Sequence, residues 1–217
     1  MSNLRETLRD LARKLSEENY DESFPHYRFW LGLGRARGKL TVQNQVDDDM
    51  WQIVRTDSSK NLINPTTRLF IRFIGDIEGD QKIAGHASGL HRRYCESTLD
   101  RFFERNLALA KSWDKDRSSF FTDVNLIAHW INLGYVDKAL TRDYILPSLI
   151  SHPRAYVQGV EALIILFKLA GATIEAYVSQ SVVDHCLESL KIQYHGDSME
   201  GKLVQVRATC CETWSSS

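Results

Sequence analysis

Residues 123–190 read DVNLIAHWINLGYVDKALTRDYILPSLISHPRAYVQGVEALIILFKLAGATIEAYVSQSVVDHCLESL, and the spacing of their apolar side chains decides the fold. It predicts a helix over 123–133, stopped at Gly134, a residue type that tolerates the left-handed turn after a helix. A second helix is expected over 136–151, with Val136, Ala139, Leu140, Tyr144 and Leu149 broadly on one side. A third begins after Pro153, buries Tyr156, Val160, Leu163, Ile164 and Phe167, and is closed by Gly171. In a fourth, Val183, Cys186, Leu187 and Leu190 keep the same three-and-four spacing. Joints this short predict that each helix folds back antiparallel on its predecessor. Helices stacked in pairs offer side surfaces to partners rather than a cleft for chemistry.

Working outward, Leu4, Leu8, Leu11 and Leu15 give an apolar stripe after a helix start at Asn3 and Glu6. Asn64-Pro65 combines a cap residue with proline in the first turn. The helix it opens has Leu69, Phe70, Phe73, Ile74 and Ile77 on its apolar face and Gly79 at its close. Asp80 is expected to cap a further helix carrying Ile83, Ala84, Ala87, Leu90 and Tyr94, ending in the basic tip His91-Arg92-Arg93. Ser97 with Asp100 reads as another start, with Leu99, Phe102, Phe103, Leu107, Ala110 and Trp113 inward and a charged break over 111–119. A last helix is expected over 199–214. The alternation that a strand requires is missing throughout.

Residues 24–56 are harder to place. Phe24 to Trp30 is aromatic-rich, and Gly32, Gly34 and Gly38 with Arg35, Arg37 and Lys39 make a basic segment read as a solvated loop. It fails as a phosphate loop: Leu33 stands where the Walker pattern needs glycine, and Leu40 follows Gly38-Lys39 in place of Ser or Thr. The dinucleotide fingerprint fails as well, at Arg37. Asp47-Asp48-Asp49 is expected at a helix start, where the dipole favours negative charge.

At 217 residues, 43% hydrophobic and 25% charged, the chain has ordinary globular composition, read as one domain over 1–217. Its net charge of −1 predicts no bulk attraction to nucleic acid or membrane. No apolar run approaches the roughly 18–20 residues that span a bilayer, and the first residues lack an apolar signal core. Cys95, Cys186, Cys210 and Cys211 lack paired spacing, so reduced thiols in the cytoplasm or nucleus are expected.

The spacing of potential catalytic residues matches no catalytic pattern. His86 and His91 lie five apart, off a common helix face. His185 and Cys186 point in different directions, although a nucleophile pair needs facing geometry. Gly-x-Ser-x-Gly and His-Glu-x-x-His are absent. No catalytic residue, metal ligand, cofactor or small-molecule substrate is expected.

Internal matches suggest a repeat. Leu146-Pro147-Ser148-Leu149 and Leu187-Glu188-Ser189-Leu190 lie 41 apart, and Val160-Glu161-Ala162 and Val206-Arg207-Ala208 lie 46 apart; HEAT and armadillo solenoids repeat at ~40–47 residues. Read in series, Asn125-Leu126-Ile127 through Asn132-Leu133-Gly134, Leu140-Thr141, and Ile145 to Ile150 resemble the middle domain of the translation-initiation scaffold, eukaryotic initiation factor four-gamma. Val160 to Leu169 with Gly171 is similar to that family's Glu-(Ala/Ser)-Leu-Cys-Lys-Leu-Leu helix. Arg13 to Tyr20 resembles its opening Asn-Lys-Leu-Thr-x-x-x-Phe, and Arg68 to Cys95 its second helix pair. Two family helices are changed here: Phe102 to Leu107 keeps only the arginine of one, and His129 to Leu133 only the leucine of the other. Residues 24–56 have no counterpart.

The resemblance implies an all-α, HEAT/armadillo-like α-solenoid of about five antiparallel helix pairs. It implies a non-enzymatic scaffold that binds a DEAD-box RNA helicase, and RNA in some relatives, in translation or mRNA metabolism. The expected partner contacts are Arg92, Arg93, Arg142, Asp143, His152 and Arg154. Direct RNA binding would use Arg35, Arg37 and Lys39, with Tyr27 or Trp30 stacking a base. The rival expectation is a generic HEAT or armadillo adaptor outside RNA biology.

Overall fold

The computed structural model describes residues 2–54, 63–80, 89–108, 113–150, 156–176, 178, 179, 181, 182 and 184. Among these the secondary structure is helical, with no strand. The chain divides into two compact units, Met1–Asp57 with Asn64–Tyr94, and Ser58–Ile63 with Cys95–Ser217. All but Asp184 of the helix expected over 183–190, the helix expected over 199–214, and the apolar positions Ile83, Ala84 and Ala87 lie outside the described residues.

In the first unit α1 (Ser2–Lys14) packs on α2 (Tyr20–Ala36) and α3 (Val42–Ile53), and α3 lies beside α4 (Pro65–Gly79). The stripe of α1 buries Leu8, Ala12 and Leu15. α4 follows its sequence signal closely. Asn64 Oδ1 accepts from the Thr66 N–H at 3.0 Å, Pro65 sits in the first turn, and Leu69, Phe70, Phe73, Ile74 and Ile77 are all buried. Aromatic rings fill the centre: Tyr20 stacks on Phe24 at 5.1 Å, and Tyr27 meets Phe73 edge-on at 5.0 Å.

Residues 24–56, which the sequence left irregular, are largely helical. α2 continues through Gly32 and Gly34 to Ala36, so the glycine-rich run is not a solvated loop over most of its length. Gly34 is buried where Leu4 and Leu40 close over its backbone. The loop is confined to Arg37-Gly38-Lys39. Gly38 takes φ +63, and the Lys39 and Gly38 N–H groups donate to the Gly34 and Arg35 carbonyls at 3.0 and 2.8 Å. That paired 6→1 and 5→2 closure satisfies carbonyls the helix end would otherwise orphan.

Three expected helix boundaries move. Asp47-Asp48-Asp49 lies inside α3, whose start is capped by Thr41. Asp80 is the C-cap of α4, and the helix start expected after it lies outside the described residues. α5 (Leu90–Ala108) begins after Gly89, so His91-Arg92-Arg93 occupies a helix start and Ser97 lies mid-helix. Positive charge at a helix start is unfavourable. It is offset by Glu78, whose carboxylate accepts from the Gly89 and His91 backbone N–H groups.

In the second unit the expected break over 111–119 gives way to helix from Trp113 onward: α6 (Trp113–Asn132) packs on α9 (Tyr156–Glu175). Both are buried on more than one face. Every residue from Phe120 to Ala128, and from Glu161 to Phe167, is buried. A helix apolar all round is the signature of an interior position. Asn125 Nδ2 donates to the Phe121 carbonyl at 2.7 Å and Thr122 Oγ1 to that of Ser118 at 3.0 Å, while Asp123 Oδ1 accepts from the Arg101 guanidinium of α5 at 3.0 Å. Gly134 stops α6 as expected, at φ +74, with the same paired closure from Gly134 and Tyr135.

The helix expected over 136–151 runs from Lys138 to Ile150 and widens through a π-helical turn in its middle. Asp137 caps α7 (Lys138–Leu140), a wide turn covers Thr141–Ile145, and α8 (Leu146–Ile150) follows. In the wide turn the Leu146 N–H reaches the Thr141 carbonyl, five residues back. The buried residues there are Val136, Thr141, Ile145, Leu146 and Leu149, while Tyr144 and Ala139 face out. The stop expected at Gly171 falls beside a kink that joins two helical segments of the next helix. α9 kinks at Ala170 (φ −132, ψ 15) and resumes to Glu175, with Gly171 buried inside it. Asn132 braces the kink, donating to the Leu169 carbonyl at 2.6 Å and accepting from Thr173 at 2.7 Å.

Candidate interaction site

Among the described residues, the large apolar side chains that stay in solvent lie on the outer face of α2, at the joint after α6 and at Tyr144. Burial of Tyr20, Phe24, Tyr27 and Leu31 fixes the inner face of α2. The opposite side therefore presents Phe29, 64% exposed, and Trp30, 38% exposed. These two rings meet edge-to-face at 5.7 Å. In the second unit Leu133 and Tyr135 flank Gly134 at 50% and 43% exposure, and Tyr144 in the wide turn stands at 62%.

The residues expected to touch RNA separate. Arg37 and Lys39 are exposed at the end of α2, Trp30 is on its outer face, and Arg35 is half-buried. Tyr27 is on the opposite side and fully buried, its hydroxyl donating to Asp49 Oδ2 at 2.7 Å. Its ring is not available to stack a base.

The expected partner contacts also divide. Arg92 is exposed. Arg93 is half-buried, pairs with Asp47 at 2.5 Å and lies 5.3 Å from the Tyr94 ring. Arg142 and Asp143 engage each other in a bidentate pair at 2.6 and 2.7 Å. That contact holds the Asp143 carboxyl below its ordinary range and raises the Arg142 guanidinium. His152 and Arg154 lie outside the described residues.

A polar cluster that sequence reasoning missed lies in the first unit, buried at Tyr27, Gln45 and Asp49 and half-buried at Asp47 and Arg93. Asp49 Oδ2 accepts from Tyr27 and from Gln45 Nε2 at 2.9 Å, while Asp47 accepts from Tyr94 and Arg93. Burial is the main cause that lifts the Asp49 carboxyl above its usual range, against the two hydrogen bonds. Burial likewise raises the Tyr27 and Tyr94 hydroxyls. The sequence signal was faint: Gln45 and Asp49 are one helical turn apart, but their partners are remote in the chain. Cys95 is buried as well, its thiol pushed up to about 12 by burial, which leaves little thiolate for reaction. Among the described residues no three His, Cys, Asp or Glu side chains gather in a way that could hold a metal ion, and no helix is long and apolar enough to cross a membrane.

The fold defines an all-α protein. Comparison with family models, curated proteins and solved structures returns no match.

Proposed function

We propose that this chain is a helical interaction scaffold that binds a protein partner through its helix joints and does no chemistry itself. The observation that carries the reading is the exposure of Leu133, Tyr135 and Tyr144, beside Arg142 and Asp143, on and just after the joint that Gly134 creates. Aromatic side chains in solvent bury large area when a partner covers them, and they dominate binding energy where they do.

The resemblance to the initiation factor four-gamma middle domain supplies the finer reading: about five HEAT-type pairs, a DEAD-box RNA helicase as partner, and a role in translation or mRNA metabolism. Such a scaffold would hold the two helicase lobes at a productive angle and shift their population toward the closed state. An RNA contact, where there is one, falls to Arg35, Arg37, Lys39 and Trp30.

The test is a pull-down with a DEAD-box helicase, followed by helicase ATPase measurement with and without this protein. Binding and stimulation, both reduced by Tyr135→Ala with Tyr144→Ala, support the reading. Absence of both favours the generic adaptor. For RNA, affinity should fall steeply with salt, and Arg37→Ala with Lys39→Ala should flatten the slope; salt-insensitive binding sinks that arm.

A further inference from the structure

The outer face of α2 is patterned about its own centre. His26, Phe29, Trp30, Leu33 and Ala36 share it at helical spacing, opposite the buried residues. Glu22 stands on the same side one turn before His26, and Arg37 one turn after Leu33. Both are exposed, and among the described residues neither makes an ion pair. The midpoint of positions 22 and 37 falls between Phe29 and Trp30. At 1.5 Å of rise per residue, each charge stands about 11 Å from the aromatic pair, in opposite directions along the axis. The same midpoint pairs His26 with Leu33.

A stripe with an acid at one end, a base at the other and aromatics between them is its own antiparallel complement. We propose that α2 is a two-fold interface with a second copy of this chain. The two α2 helices run antiparallel, crossing at about 20° so that their ends stay within side-chain reach. Phe29 and Trp30 of both copies meet at the axis, and Glu22 of each copy meets Arg37 of the other. In an isologous contact of this kind every pairing occurs twice. The helix dipole alone accounts for an acid at the start and a base at the end, but not for two aromatic rings left in solvent midway between them. A polyanion on this stripe would meet the Glu22 carboxylate, whereas a second copy satisfies both charges.

The experiment is sedimentation velocity of the 217-residue chain across micromolar concentrations, with circular dichroism to verify that each variant is folded. The parent should be a dimer that dissociates on dilution. Glu22→Arg and Arg37→Glu each place like charges at both ends and should be monomeric where the parent is dimeric. An equimolar mixture of the two should re-form a dimer, and so should a chain carrying both reversals. Phe29→Ser with Trp30→Ser should weaken association at least tenfold. A monomeric parent, a dimer indifferent to these changes, or a mixture that stays monomeric overturns the proposal. So does a monomer that binds helicase or RNA through α2. None of these outcomes depends on the joint after α6, so this interface and the protein-scaffold reading fail separately, whereas an RNA contact through Trp30 and Arg37 competes with the interface.

Discussion

Tyr27 donates its hydroxyl to Asp49 Oδ2 at 2.7 Å in the interior of the first unit, joining α2 to α3 through a side chain with no solvent access. Asp49 also takes the Gln45 amide on that oxygen, while Asp49 Oδ1 and Gln45 Oε1 have no donor. A buried carboxylate with one oxygen undonated is poorly compensated.

Replacing the charge while keeping the acceptor should therefore help. The folded-state pKa of Asp49 is raised above its ordinary 3.8, so its favourable contribution belongs to low pH and is lost as pH rises through the folded value. Asp49→Asn should gain on the parent in denaturant melts as pH rises from acid toward neutral. Tyr27→Phe, which removes a donor from a buried acid, should cost about 1–3 kcal/mol at neutral pH. Equal pH profiles for Asp49→Asn and parent would contradict this account.

His91 shows the opposite sign. Burial lowers its pKa below 6.5, and the Glu78 charge only partly opposes that. Below 6.5 the unfolded chain takes up the proton first, so stability contributed by neutral His91 is present above that pH and is lost as pH falls toward the folded value. Thermal melts from neutral to mildly acid pH should show a falling midpoint in the parent and a shallower fall in His91→Gln.

Two glycines should respond in opposite directions. A Cβ on Gly159 would lie 1.9 Å from the Leu149 carbonyl oxygen, so backbone must move. Gly159→Ala should lose on the order of 1–3 kcal/mol, as overpacking does. A Cβ on Gly32 meets nothing within 4 Å. Gly32→Ala should gain up to about 1 kcal/mol from helix propensity. Urea melts of the two variants decide the matter.

Asn132 spans the kink at Ala170 with one donated and one accepted bond. Asn132→Ala leaves the Leu169 carbonyl without that donor, and a loss of about 1 kcal/mol is expected. Hydrogen exchange should rise at the amides after Ala170 and stay unchanged in the first unit. Uniform change across both units would count against a local brace.

The extent to which this fold is legible follows from the range of each interaction. α4 is legible from its start to its last apolar position, because the Asn64 cap, Pro65 and the run Leu69 to Ile77 act within one or two turns. The stop at Gly134 is legible for the same reason. α2 is half legible: its aromatics suggest docking, and Phe24 and Tyr27 do dock. Which rings turn outward depends on α1, α3 and α4, so Phe29 is not identified from its own neighbours. The wide turn at Thr141 inverts the expected role of Tyr144, because one extra residue in a turn re-aims the side chains around it.

The amino-acid sequence by itself determined that this protein is built from helices, where α4 begins, and which faces of α1 and α4 turn inward, since a cap and three-and-four spacing are properties of a few neighbouring residues. Only the tertiary structure decided that Asp49 is buried and Asp47 half-buried, that α6 and α9 are enclosed on more than one side, and that Phe29 and Trp30 are not. Each of those outcomes depends on what packs against a helix from elsewhere in the chain: Tyr94 and Arg93 for Asp47, Tyr27 for Asp49, and α9 for α6. Burial of a charge or release of an aromatic ring is settled by the partner's position, which helical periodicity does not encode.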